Sequence, residues 1–292
     1  MLLLGLCTQA FRTAGVAGVQ HQINCDDPQI GLTAADGLPS VMQMIRTTGW
    51  CGGSVTHPFK EAVVPLCDEL DPTAEAMGAV NTVVVVRGAG RNGRNEIHGH
   101  NTDWIGVAEA LREAVLPDGA LETVAVIGVG GVARAVCFAL AQAGAGTLRL
   151  YDPAPGKADE AAAAMREAFR QSSGVVIEVK DSPPGALDGA SGVCQCSPIG
   201  MDGHPGTPFP PELLGTGSSS TAEQQWLLDC VYTPVETELV AAARERGLTT
   251  ITGDRLNLFQ FLAQFELVTG LKPDAAAAES YFRALLAAAA RL

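Results

Sequence analysis

Four short clusters supply the polar groups with which this chain could do chemistry: Gly53-Ser-Val-Thr-His-Pro-Phe-Lys60, Gly78-Ala-Val-Asn81-Thr82, Gly99-His-Asn-Thr-Asp103 and Gly253-Asp-Arg-Leu-Asn-Leu-Phe-Gln260. Taken singly, each has an ordinary structural reading. Thr56-His-Pro58 suits a strand end, Lys60 a solvated first helical turn, and Asn-Thr-Asp turn and N-cap chemistry, with Asp103 capping a helix that starts at Trp104. Together they offer one ammonium, one carboxylate and several amides and hydroxyls. That set can move a proton on a hydroxyl: an ammonium beside the oxygen stabilises developing negative charge, and a carboxylate fixes its orientation.

A second feature tells what such a proton would accompany. Val124–Ile127 is a short buried-strand run that breaks into glycines and then into a helical pattern over Val132–Ala143. Gly128, Gly130 and Ala133 fill the G-x-G-x-x-G/A spacing of a dinucleotide-binding turn, with Gly131 and Val132 between them. The first small residue permits the tight turn, the second lets backbone approach a pyrophosphate, and the third lets helix pack closely on strand. The helix N-terminus then offers free N–H groups and the positive dipole end to phosphate. A strand at Thr147–Tyr151 follows at βαβ distance and ends in Asp152, placed to accept hydrogen bonds from ribose hydroxyls. No Arg follows it, since the next residues are Pro153-Ala-Pro-Gly156, so NAD is expected, with NADP possible. Hydride transfer to or from nicotinamide then needs the proton chemistry of the polar clusters.

These groups must be carried on a scaffold, and composition bounds it. The 292 residues allow two domains, and 47% apolar content with few aromatics suits helices packed closely on a parallel sheet. A net charge of −13 argues against a nucleic-acid partner. No run reaches the length of a membrane span, and the apolar start Met1–Leu6 lacks a basic flank and reads as a first strand, not a signal peptide. Of the eight cysteines none forms a C-x-x-C pair, and Cys194 and Cys196 are spaced to share one face of a strand. Reduced structural thiols in a cytoplasmic protein are expected, and no metal site.

Along the chain, strands are predicted at Leu2–Leu6, Gly52–Thr56 and Val80–Val86, a hairpin tip at Gly88–Glu96, and helices over Leu32–Thr48, Lys60–Leu70 and Trp104–Val115. From Val124 strand and helix alternate: Val124–Ile127, Val132–Ala143, Leu148–Tyr151, Lys157–Gln171, Val175–Val179. Further strands are expected at Gly192–Cys196, Leu227–Val231 and Thr249–Thr252, a surface loop at Gly215–Thr221, and helices over Leu256–Thr269 and Ala275–Leu292. The expected fold class is α/β: a Rossmann-type dinucleotide-binding domain at 105–255 plus an α/β substrate domain at 1–104 completed by helices at 256–292, with the active site in the interdomain cleft.

The order of the motifs resembles the shikimate/quinate dehydrogenase family. That family carries N-V-T-x-P-x-K, G-A-V-N-T, N-T-D, G-x-G-G-x-x-R-A, a T-P-x-G-M-like loop, D-x-x-Y-x-P-x-x-T and G-x-x-M-L-x-x-Q. This chain shows Ser54–Lys60, Gly78–Thr82, Asn101–Asp103, Gly128–Ala135, Ser197-Pro-Ile-Gly-Met201, Asp229-Cys-Val-Tyr-Thr-Pro-Val-Glu-Thr237 and Gly253–Gln260, in the same order. The resemblance implies a NAD(P)-dependent dehydrogenase of shikimate or quinate. By position, Lys60 matches the family's catalytic lysine and Asp103 its partner aspartate. Thr56, Asn81, Tyr232 and Gln260 match substrate-binding positions. Met201 and Gly253 match cofactor positions, and Asp152 matches the acid of NAD-preferring members. A small-molecule substrate and a monomer or homodimer are implied.

Three departures bear on the substrate. Family members open with a strand and a Ser-x-Ser/Thr-Pro motif that holds the substrate carboxylate, whereas this chain reads Cys7-Thr-Gln-Ala-Phe-Arg-Thr13 after its first apolar run. Thr8, Arg12 and Thr13 are available as replacements, Arg12 bidentately. Ser54 stands for the usual Asn and Leu256 for the usual Met. Two other readings therefore stay open: a paralogue acting on a different polyhydroxy carboxylic acid, and a cofactor-binding homologue that has lost turnover. The chain is also shorter than usual before Gln22-Ile-Asn24, as a native start or a truncated one would be.

Overall fold

The computed structural model describes residues 34–56, 58–116, 121–169, 174–215 and 225–289, together with Ala10, Thr13, Ala14 and Ile23. The strand expected at Leu2–Leu6 and most of the loop expected at Gly215–Thr221 lie outside the described residues. The chain divides into two compact units, Met1–Thr102 with Phe261–Leu292, and Asp103–Gln260.

In the first unit, helix α1 (Ala34–Thr47) buries Leu38, Met42 and Ile45, three apolar residues at helical spacing. They pack with Val63, Ala74, Val80, Val83, Val85 and Ile97 over a four-stranded sheet. Its strands are β1 (Gly52–Ser54), β2 (Glu69–Leu70), β3 (Thr82–Val86) and β4 (Glu96–His100), in the order β1-β3-β4-β2. The β3–β4 pair is an antiparallel hairpin, and Gly88, Asn92 and Gly93 take positive φ to close its tip. A short helix, α2 (Pro72–Met77), is set by local chemistry that the sequence reading passed over. Asp71 caps it by accepting from Thr73 N–H at 2.9 Å, Pro72 fills its first turn, and Gly78 ends it at a φ of 61°.

One predicted element is corrected here. Lys60–Leu70 is not an α-helix: turns cover 58–63, a 3-10 turn covers Val64–Leu66, and Glu69–Leu70 is strand β2. Pro65 has no N–H to donate back to Glu61, so the apolar spacing cannot become a helical ladder. Glu69 and Leu70 are instead drawn into parallel pairing with His98 and Gly99 of β4.

The second unit opens with α3 (Asp103–Ala114), then alternates β5 (Thr123–Ile127), α4 (Gly131–Gln142), β6 (Thr147–Tyr151), α5 (Lys157–Phe169), β7 (Val176–Val179), α6 (Pro183–Leu187), β8 (Gly192–Gln195), β9 (Trp226–Asp229), α7 (Glu238–Glu245) and β10 (Thr249–Thr252). Its six strands are all parallel, in the order β10-β9-β8-β5-β6-β7. Counted from β5, this is the 3-2-1-4-5-6 order read from the other edge, and the strand direction of build-up reverses between β5 and β8. Val124, Val126, Leu148, Leu150, Val193, Leu227 and Leu228 are all fully buried, as strands covered on both faces require. The short helices α6 and α7 start at Ser182 and Thr237, whose hydroxyls accept from Gly185 and Val240 N–H, caps too brief to stand out in a periodicity reading. Helix α8 (Gly253–Thr269) leads from β10 back into the first unit, which α9 (Ala275–Ala289) completes. Among the described residues no helix is long and apolar enough to cross a membrane.

Candidate active site

The glycine turn sits at the switch point, between β5 and α4. Gly128 has a φ of 83°, and a Cβ there would stand 2.8 Å from Ser197, so both conformation and space exclude a side chain. Gly130 is the N-cap of α4 and bears no capping side chain. A Cβ on Gly130 or Gly131 would meet nothing within 4 Å, so the space in front of this helix N-terminus is open to a ligand. Val132 is half-buried, and Ala133 is 0% exposed. Free N–H groups, a positive helix end and open space fit a pyrophosphate.

Asp152 lies just past the end of β6, with its side chain only 5% exposed. Oδ2 accepts from Val129 N–H in the glycine turn at 3.0 Å, and Oδ1 accepts from Ala154 N–H at 3.0 Å. Lys157 Nζ, in the first turn of α5, stands 3.0 Å away. Burial alone would raise the carboxyl, but the two backbone donors and the ammonium outweigh it and hold its pKa below the ordinary aspartate value. The acid is thus ionised, oriented and tied to the loop that would meet phosphate.

Two buried polar residues that the sequence reading did not single out shape the loops after the next strands. Gln195, 0% exposed at the end of β8, donates to the Ser197 and Ile199 carbonyls at 3.1 and 2.8 Å and accepts from Ser197 N–H at 2.8 Å. It folds the turn that presents Met201, which is 39% exposed. Asp229 stands opposite it in register, at the end of β9. It accepts from Val231 N–H at 3.0 Å and from the Thr237 hydroxyl at 2.7 Å, closing the loop that presents Tyr232. Desolvation pushes the Asp229 carboxyl up to about 6 against these two donors. The signal was available in sequence: a single polar residue ends each of two apolar strand runs, Val-Cys-Gln195 and Leu-Leu-Asp229. Gly253, at the start of α8, has a packing reason of its own, since a Cβ there would lie 2.5 Å from the carbonyl oxygens of Cys230 and Val231.

In the first unit segments of three of the polar clusters meet at Asn81. Its side chain is fully buried; Oδ1 accepts from Thr102 N–H at 2.8 Å and from the Thr82 hydroxyl at 2.8 Å, and Nδ2 donates to Thr102 Oγ1 at 3.0 Å. Its backbone carbonyl accepts from Val55 N–H at 2.7 Å and from Gln264 Nε2 at 3.1 Å. Gln264, another buried amide missed in sequence, also reaches Ser54 Oγ at 3.3 Å. The turn that carries Lys60 is held to the same frame, because Val80 N–H donates to the Lys60 carbonyl at 2.8 Å. Lys60 itself is half-buried and Thr56 is exposed. Thr13 spends its hydroxyl on the Ala10 carbonyl at 3.1 Å.

Asp103 is the first residue of α3 and is 9% exposed. It follows directly on Thr102, so the Asn81 frame fixes the backbone from which it projects. Gln260 is half-buried on α8, and Tyr232 is 41% exposed. By unit, Lys60, Thr56 and Asn81 fall in the first, while Asp103, Tyr232, Gln260, Met201, Gly253, Asp152 and the glycine turn fall in the second.

A parallel sheet in this strand order, with an open glycine turn after β5 and an oriented acid after β6, defines a Rossmann-type fold suited to a dinucleotide. Comparison narrows the class. A family model described as the shikimate dehydrogenase substrate binding domain matches residues 5–83. The shikimate dehydrogenase (NADP(+)) of Pseudarthrobacter chlorophenolicus is 39% identical over 262 residues, covering 89% of this chain and 83% of that protein. The quinate/shikimate dehydrogenase (NAD(+)) of Corynebacterium efficiens is 38% identical over 237 residues, covering 81% and 78%. Among solved structures, quinate dehydrogenase from Corynebacterium glutamicum in complex with NAD matches with a TM-score of 0.83 and 32% identity, covering 97% of this chain and 94% of that one. The chain belongs to the shikimate/quinate dehydrogenase family of oxidoreductases, whose members act on CH–OH donors with NAD or NADP.

Proposed function

We propose that this chain interconverts shikimate or quinate with the corresponding ring ketone, prefers NAD, and uses Lys60 and Asp103 to relay the hydroxyl proton. The dinucleotide, when bound, supplies the acceptor for the hydride that leaves the carbinol carbon. The Lys60 ammonium lowers the cost of negative charge on the substrate oxygen, and its nitrogen takes the hydroxyl proton as it gives one of its own to the Asp103 carboxylate. The Asp103 carboxylate orients that ammonium, Thr56, Asn81 and Gln260 contact the polyol, and Tyr232 lies near the substrate. Gly128–Ala133 receive the pyrophosphate, Asp152 the adenosine ribose hydroxyls, and Met201 and Gly253 the nicotinamide end. The first unit is then the substrate domain and the second the nucleotide domain. A monomer or homodimer in the cytoplasm is the expected working form.

The observation that carries the reading is the frame around Asn81, which ties the Lys60 turn to the residue before Asp103 through buried hydrogen bonds. Initial rates of NAD⁺ and NADP⁺ reduction with shikimate and with quinate test it. Turnover that favours NAD⁺ supports the proposal; no turnover with either acid overturns it.

A further inference from the structure

Four thiols gather toward the carboxyl end of the second unit's sheet. Cys137 on α4, Cys194 in β8 and Cys196 just after β8 are buried, and Cys230 just after β9 is half-buried. Two of them face each other. The β8–β9 register pairs Gln195 with Asp229, and Cys230 N–H donates to the Gln195 carbonyl at 2.9 Å, so Cys196 and Cys230 continue the pairing one residue on. Their sulfurs are 3.8 Å apart, with the Cys230 thiol donating to Cys196 Sγ.

That spacing has a chemical meaning. Two thiolates on one tetrahedral d¹⁰ ion, each about 2.3 Å from it, stand about 3.8 Å from each other. A disulfide would require the sulfurs to close to about 2.05 Å. The two sulfurs can therefore take a bridging atom between them with little change in their separation. Among the described residues no third cysteine sulfur joins these two in a three-ligand group, so the site is bidentate.

We propose that Cys196 and Cys230 form a vicinal dithiol site that chelates thiophilic ions and trivalent arsenicals. Cys230, partly exposed, is the sulfur an incoming reagent meets first, and Cys196 closes the ring. With phenylarsine oxide, two As–S bonds form and the As–O bond breaks, and both thiol protons leave with the oxygen as water. With a divalent soft ion, two metal–sulfur bonds form and two protons are released. The site sits where the segments presenting Met201 and Tyr232 leave the sheet, so loading it ties the roots of those two segments to one atom.

The test is intact-mass spectrometry of the reduced full chain treated with phenylarsine oxide and then with a large excess of glutathione. A monodentate arsenic–thiol bond exchanges with glutathione, whereas a chelate with two protein sulfurs survives it and is removed by dithiothreitol. The expected result is retained phenylarsenic on the parent chain, one equivalent of which is lost in Cys230→Ser and in Cys196→Ser. Cys51→Ser, which removes an exposed thiol elsewhere, should leave that equivalent in place. Cys230 is half-buried, so its serine variant carries the test should Cys196→Ser fail to fold. Undiminished retention in a folded Cys230→Ser chain, or complete loss of label to glutathione in the parent chain, would overturn the proposal. The readout requires no turnover, so it stands or falls separately from the proposed reaction.

Discussion

In the second unit six parallel strands of four or five residues line up in one strand order, and the apolar runs of the central strands β5, β8 and β9 are buried on both faces. Among the described residues of the first unit, four strands of two to five residues pair in mixed directions, and Ser54, Asn81 and His100 lie at or next to strand ends. On the proposed function, the difference reflects what each unit holds. A dinucleotide is met largely by backbone N–H groups and one acid, so small residues and a regular sheet suffice. A small polyol must be met by side chains, and those are steadied here by buried amides: Asn81 and Gln264 in the first unit do with side-chain hydrogen bonds what the β5–α4 turn does with glycine.

The contrast can be broken most sharply at Lys60. Lys60→Ala should lower kcat by about 10²–10⁴-fold, the range for loss of a positioned acid–base group, with NAD binding by calorimetry unchanged. An unaltered rate would remove Lys60 from the chemistry. Gly128→Val attacks the other unit. With a positive φ and Ser197 2.8 Å from any Cβ, it should destabilise the fold by more than about 1–2 kcal/mol and abolish NAD binding, as melting and calorimetry would report.

Asp229 gives a pH signature confined to the second unit. Its folded pKa is raised, so the native state binds the proton more tightly than the unfolded chain does. The stabilisation is fully present below about 3.8 and is lost as pH rises through about 6. The shift corresponds to about 3 kcal/mol, at order-of-magnitude level. Denaturation across this window should show stability falling with pH more steeply in the parent chain than in Asp229→Asn; parallel slopes would refute the assignment. Asn81→Ala should cost about 1–3 kcal/mol, because it strands the Thr102 N–H in a buried place. If Asn81 also contacts substrate, KM should rise beyond what a matched loss of stability produces elsewhere in the unit. The smallest effect is expected at Asp152. Asp152→Asn should narrow the NAD⁺ over NADP⁺ ratio in kcat/KM by about tenfold, roughly the worth of one charge-assisted hydrogen bond. A ratio that widens would be the contrary result.

The legibility of the two units in sequence differed for the same reason. The alternation from Val124 onward was readable because glycine spacing, β-branched runs and helical periodicity are local properties of the chain. Lys60–Leu70 carries helical spacing yet does not form a helix, because pairing of Glu69 and Leu70 with β4 competes with that spacing and only the distant partner decides it. Helix α2 was passed over because one cap and two turns give too short a period to register.

The sequence by itself determined the family, the dinucleotide turn and the residue types at the proposed site, since each is written in short motifs whose physics is local. Tertiary structure alone decided that Gln195 and Asp229 stand side by side to shape two loops. It also decided that Asn81 locks Thr102 and that Cys196 meets Cys230 across two strands. These are contacts between residues 21 to 34 positions apart, and strand register, not spacing along the chain, brings them together.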